Sequence, residues 1–216
     1  MQSPDTRHRL ILSAMQLFRD KGYGSTSVAD VLQAARVNSG SLYHFFPGKQ
    51  ELLLAVLDEY RAGIHPMLLE PAWRGVDDPL ERVFALLACY RQALADTECL
   101  YGCPIGSLAL ELHAPDPPVR ERLAANFIAW TDAIHQCLQD AGSRLPRTLD
   151  RRELAAFVLT VMEGAVMQAR TFREVASFDG AVRQLRAYFR HLMREASPRR
   201  TPRVRSPLAR KRRRRA

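Results

Sequence analysis

The stretch Ser25–Leu53, STSVADVLQAARVNSGSLYHFFPGKQELL, decides the fold. Val28, Val31, Leu32 and Ala35 recur at helical spacing behind a hydroxyl cap from Thr26 or Ser27, which predicts a short amphipathic helix. Arg36, Val37 and Asn38 interrupt that stripe, with Val37 turned inward, and Ser39 is placed to cap a second helix. So brief a turn makes the two helices cross steeply, as a helix-turn-helix requires. On the second helix Leu42 and one of Phe45 and Phe46 supply the inner side. Ser41, Tyr43 and His44 offer donors outward, and Gly40 has no side chain to hold off a phosphate or a base edge. Pro47-Gly48 ends this helix and Lys49 opens the next. A cation near a helix N-terminus is locally unfavourable, and a DNA phosphate nearby would compensate for it.

Each of these residues also has a plainer role: a cap for Ser39, a packed ring for Tyr43, a solvated charge for Lys49. Their order within a complete motif favours DNA binding. Together with Thr6-Arg7-His8-Arg9-Leu10-Ile11-Leu12, Ala14, Leu17, Phe18, Gly22 and Tyr23, and on to about Tyr60, they resemble the TetR/AcrR family of bacterial transcriptional regulators. The resemblance implies that Thr26 and Ser27 contact phosphates. It further implies that Ser39, Gly40, Ser41, Tyr43 and His44 enter the major groove and that Lys49 grips a phosphate. Phe45 departs from the pattern, since the family often has a histidine there, and a phenyl ring cannot donate to a phosphate.

Charge is distributed unevenly along the 216 residues. Ten of the 32 basic residues lie in residues 197–216, which contain no acid, so residues 1–196 carry 22 basic and 23 acidic side chains. The formal charge of +9 therefore describes a mildly basic head, an acidic body and a very basic end. Three prolines and the absence of apolar periodicity predict disorder for that arginine-rich tail, where it would either strengthen non-specific DNA binding or act as a solvated extension. No apolar run approaches the ~18 residues of a membrane span, and no apolar signal-peptide core begins the chain, which predicts a cytoplasmic protein without a membrane partner. The four cysteines are then expected to be reduced.

Beyond Gly48 the apolar spacing is helical almost throughout. Leu52, Leu53, Val56, Leu57 and Tyr60 mark a long helix expected to end near His65-Pro66, and Pro104–His113, a helix from Pro117 or Pro118, Arg151–Phe172 and Asp179–Glu195 follow. The expected fold is all-α: an N-terminal three-helix helix-turn-helix head (5–65), joined by a long helix to a larger helical effector-binding and dimerisation domain (66–196), then the tail (197–216). The Arg151–Phe172 helix has an apolar surface too broad for one partner helix, with Gly164 allowing close approach. Family members form a four-helix dimer interface from their last two helices, and the resemblance implies the same here. Such a homodimer would read double-stranded DNA at a palindromic operator, as a repressor released by a small-molecule effector.

Two readings of the effector arise. Phe127, Trp130, Phe157, Met162 and Met167 could line an apolar pocket or simply pack. Alternatively Cys103, placed by Pro104 at a helix N-cap, would have its thiol acidity increased by the helix dipole, with Cys99 as resolving thiol in a redox- or electrophile-sensing repressor. Gly-Cys before a short helix also looks like the segment found in a subset of TetR-type repressors that includes such regulators. The histidines and cysteines lack metal-ligand spacing, and no phosphate loop or nucleophile motif appears. Neither a metal, a cofactor nor an enzymatic activity is expected. An architectural nucleic-acid binder acting through the tail is the remaining alternative.

Overall fold

The computed structural model describes residues 5–197, and every regular element among them is helical. The head comprises α1 (Thr6–Lys21), α2 (Val28–Ala35), α3 (Ser39–Phe45) and the start of α4 (Lys49–Gly63). The body follows with α5 (Glu70–Trp73), α6 (Pro79–Asp96), α7 (Pro104–Glu111), α8 (Pro117–Asp140), α9 (Arg151–Phe172) and α10 (Ala176–Ala196). Asp78, Asp150 and Asp5 cap α6, α9 and α1 by accepting from backbone N–H groups of the first turn. Proline stands at the start of α6, α7 and α8, where its missing N–H has no partner to lose.

Two local details differ from the sequence expectation. The side chain of Asn38, not Ser39, caps α3, accepting from the Ser41 N–H at 2.9 Å, so the helix begins one residue earlier in its cap. Pro66 also fails to end the connecting helix. The chain passes from α4 through a π-helical turn, Ile64–Leu69, into α5. Proline has no N–H to donate and its ring crowds the preceding turn, and widening that turn keeps the chain helical.

Two apolar cores result. One lies in the body, around Leu86, Leu87, Ile134, Val158, Phe178 and Phe189. The other fills the head with Leu10, Ile11, Leu42, Phe46, Leu52 and Val56, and it also takes in Ile105 and Leu108 of α7 and Val119 and Leu123 of α8. Body helices thus complete the head's core. Met162, expected at a pocket, is 1% exposed and belongs to the body core. No helix among the described residues is long and apolar enough to cross a membrane. The basic tail lies outside the described residues apart from Ser197.

Candidate nucleic-acid interface and interior cavity

The helix-turn-helix is built by a few local bonds. Ser27 caps α2 in a capping box: its hydroxyl accepts from the Asp30 N–H at 3.1 Å, and Asp30 accepts from the Ser27 N–H at 2.8 Å. These bonds hold the Asp30 carboxyl below the usual range. Arg36 closes α2 in the left-handed conformation, with φ of 56°, which makes the three-residue turn possible. Leu42 and Phe46 are buried, while Ser39, Gly40, Tyr43 and His44 are exposed and Ser41 and Phe45 are half-buried. The outer face of α3 is therefore open for contact. A Cβ on Gly40 would meet only Asn38 Oδ1, at an ordinary 3.5 Å, so packing within the chain does not require glycine there.

Thr26 does not belong to that outer face. It is 1% exposed and its hydroxyl donates to the Gly22 carbonyl at 2.7 Å, which corrects the expectation that it meets a phosphate; Ser27 beside it is exposed. Lys49 lies with its Nζ 4.2 Å from the centre of the Tyr23 ring. Desolvation lowers its pKa, opposed by the charges of Glu111 and Asp30. The cation rests on an aromatic platform at the edge of the head.

That platform is held from the body. Glu111, the last residue of α7, accepts from the Tyr23 N–H at 2.9 Å and from the Gly24 N–H at 2.6 Å, across 88 and 87 residues. One carboxylate thereby satisfies two donors in the α1–α2 turn. Sequence reasoning missed it, because nothing local distinguishes Glu111 from a solvated acid.

The other end of α7 faces an interior cavity of about 440 Å³. Its wall combines Leu12, Met15 and Tyr60 of the head helices with Tyr90, Phe127, Trp130 and Glu163 of the body. Phe127 and Trp130 are among its lining residues, and Trp130 is also part of the body core. Met167 lines a neighbouring cavity of about 470 Å³ between α7 and α9, which shares Cys103, Phe127 and Glu163 with the first. Phe157 lines neither: it is 47% exposed and packs edge-to-face on Tyr188, with ring centres 6.0 Å apart.

Cys103 caps α7 as its spacing predicts, accepting from the Gly106 N–H at 3.5 Å. Its acidity runs opposite to expectation. Burial pushes the thiol pKa up, and the Glu163 carboxylate beside it pushes it further. A helix dipole cannot outweigh desolvation plus an adjacent anion. Cys99 is buried too, and all four cysteines are free thiols. The glycines around Cys103 have a packing role. A Cβ on Gly102 would meet Val166 Cγ1 at 2.6 Å and Arg170 Cδ at 2.7 Å, and a Cβ on Gly106 would fall on the Glu163 carboxylate. The segment is shaped to approach α9 closely.

Glu163 and Asn126 are further residues that sequence reasoning passed over. Burial raises the Glu163 pKa, partly countered by a hydrogen bond from Cys103. Its only signal was an acid in the stripe of Leu159 and Val166. Asn126, 3% exposed on α8, donates to the Leu57 carbonyl of α4 at 3.0 Å and to the Arg122 carbonyl at 2.9 Å. Arg122 also pairs with Asp58 of α4 at 3.2 Å. The cavity wall is thus tied to α4 by Asn126 and, through α7, to the head by Glu111.

An exposed second helix of a helix-turn-helix, carried on a helical body, defines a DNA-binding transcriptional regulator. Residues 10–56 match the model of the bacterial regulatory proteins of the tetR family, and residues 79–184 match the C-terminal domain of LmrA/YxaF-like transcriptional regulators. An uncharacterized HTH-type transcriptional regulator of Mycobacterium tuberculosis is 37% identical over 194 residues, covering 86% of this chain and 94% of that protein. The HTH-type transcriptional repressor DhaR of a Mycobacterium species is 28% identical, covering 83% and 89%. The crystal structure of a regulatory protein TetR from Rhodobacter sphaeroides superposes with a TM-score of 0.76 at 27% identity, covering 86% of this chain and 98% of that one. The chain belongs to the TetR family of transcriptional regulators.

Proposed function

We propose that this regulator is a homodimeric repressor that leaves a palindromic operator in double-stranded DNA when a small molecule occupies the interior cavity. The observation that carries this reading is that head and body helices wall the same cavity. A ligand there touches both, and its differential affinity for two head positions becomes a change in DNA affinity. Ser39, Gly40, Ser41, Tyr43 and His44 read the major groove, and Ser27 and Lys49 hold the backbone. The free space at Gly40 supports close approach of DNA to α3. Operator binding implies a cytoplasmic site of action.

The dimer forms through α9 and α10. Phe157, Phe172 and Tyr188 are exposed there, and a Cβ on Gly164 would meet nothing within 4 Å, which leaves this face free for a second copy. Burial and the neighbouring Glu163 carboxylate disfavour the Cys103 thiolate, which counts against thiol sensing by Cys103 with Cys99 as the resolving thiol. Binding through the basic tail rests on residues outside those described.

Selection of bound duplexes from a random pool tests the function. A palindromic consensus is expected. Tyr43→Ala should relax sequence preference, whereas Lys49→Ala should weaken all duplexes alike and reduce the salt slope by about one. Recovery of fragments with no shared sequence would reject the reading.

A further inference from the structure

Arg36 ends α2 in the left-handed conformation, with φ of 56°. The turn there is made by backbone groups: the Arg36 N–H donates to the Gln33 carbonyl at 3.2 Å and the Val37 N–H to the Leu32 carbonyl at 3.1 Å. Glycine takes such a position at least cost, because a Cβ crowds the following carbonyl. The turn therefore calls for a backbone conformation and makes no use of the arginine side chain. Nor does the rest of the head. Of the six arginines and lysines up to residue 50, Arg19 and Lys21 pair with Asp20 and Asp30, Arg9 donates to the Thr6 hydroxyl, and Arg7 and Lys49 lie over the rings of Phe46 and Tyr23. Arg36 is the sixth. It is exposed, and among the described residues no ion pair, hydrogen bond or ring contact involves its side chain.

A strained position filled by a side chain that nothing within the chain uses points to a partner outside it. Its place says which. Arg36 stands two residues before Asn38, the cap of α3, and the exposed Ser39 and Gly40 follow. Lys49 stands beyond the other end of α3. The second helix of the motif thus has a cation before its start and another after its end, and a helix in the major groove has a sugar–phosphate strand on either side. We infer that Arg36 grips a DNA phosphate from the turn of the helix-turn-helix, as a backbone contact at the opposite end of α3 from Lys49. A planar guanidinium suits this task, since it offers a phosphate two parallel N–H donors. The contact carries no base information, so it sets register and strength rather than sequence choice. The inference rests on the reading of α3 as the helix that enters the groove, and it adds a DNA contact outside that helix.

Titration of a selected palindrome and of an unrelated duplex over a series of salt concentrations tests it, with the full chain and its variants. Arg36→Gly removes the charge and suits the left-handed backbone, so its thermal transition should match or exceed that of the unaltered chain. Its affinity should fall at least about tenfold for both duplexes, and its salt slope should drop by about one per protomer. Arg36→Asn, neutral and tolerant of the same conformation, should do the same. Arg36→Lys, which retains the charge, should keep most of the slope. Arg173 supplies a matched control: it closes α9 with φ of 57° and is exposed, but on the body. Arg173→Gly should leave affinity and slope unchanged. A slope that Arg36→Gly does not alter, an equal loss from Arg173→Gly, or a changed base preference on selection from a random pool would overturn the inference. If the unaltered chain selects no palindrome, yet its hold on unrelated duplexes still depends on Arg36, the repressor reading falls and the phosphate contact stands.

Discussion

Glu163 is held where water would not place it, and this has a consequence for stability. Burial raises its pKa above the ordinary glutamate value of about 4.3, so the folded chain binds this proton more tightly than the unfolded one. The contribution to stability is fully present below that value and lost as pH rises through the raised pKa. Glu163→Gln does not titrate there. Its stability relative to the unaltered protein should therefore grow from pH 4 to pH 7, as urea midpoints at the two pH values would show. Cys103 follows the same sign at higher pH: its raised pKa makes stability fall above about pH 8.5, where an unfolded thiol ionises. The position of Cys103 was legible in the sequence, because Pro104 fixes a helix start. Its acidity was not, because it is set first by burial in the folded chain and then by the Glu163 carboxylate, 60 residues away on α9. Thr26 read as a surface hydroxyl from its place beside the start of α2, although the Gly22 carbonyl only four residues earlier holds it inside.

At the scale of the element, α7 is the unexpected part. This eight-residue helix spans about 12 Å, with Gly106 against Glu163 at one end and Glu111 on the head at the other. If α7 carries ligand occupancy to the head, removing its head contact should uncouple the two sites. Glu111→Ala is expected to destabilise the fold by about 1–2 kcal/mol, as two partly exposed charge-assisted bonds imply. It should also reduce the factor by which a bound ligand changes operator affinity, measured by DNA titration with and without a small molecule that releases the unaltered protein from DNA. An unchanged factor would leave α4 as the carrier. Helical periodicity made α7 itself legible, and the cap and proline signals set its start. Its docking was not legible, since a contact between residues 88 apart leaves no periodic trace. Pro66 misled in the opposite sense: a strong local stop signal was absorbed by a π-helical turn that needs no N–H from it.

The whole molecule joins a DNA-facing end to an apolar face on its last two helices. Phe157 and Tyr188, paired across that face, make a direct test of assembly. Replacing both with glutamate should shift the protein from dimer to monomer in sedimentation velocity, with operator affinity falling in parallel while the thermal transition is largely kept. A dimer that persists would place the interface elsewhere. This scale was the most legible in the sequence, because all-α class, element order and an over-broad apolar stripe on α9 all follow from 3.6-residue spacing and turn residues. The cavity was legible only in part. Phe127 and Trp130 were found by their size, but Asn126 and Glu163 each looked like ordinary polar positions on a helix. The close approach of Gly106 to Glu163 also bears on descent. A side chain at 106 and a carboxylate at 163 compete for the same space, so the two positions cannot drift independently. Across related chains, an acid at the place of Glu163 should be inherited with glycine at the place of Gly106, whereas glycine there tolerates the loss of the acid. Two letters of sequence would then sort these regulators by what their interiors accept.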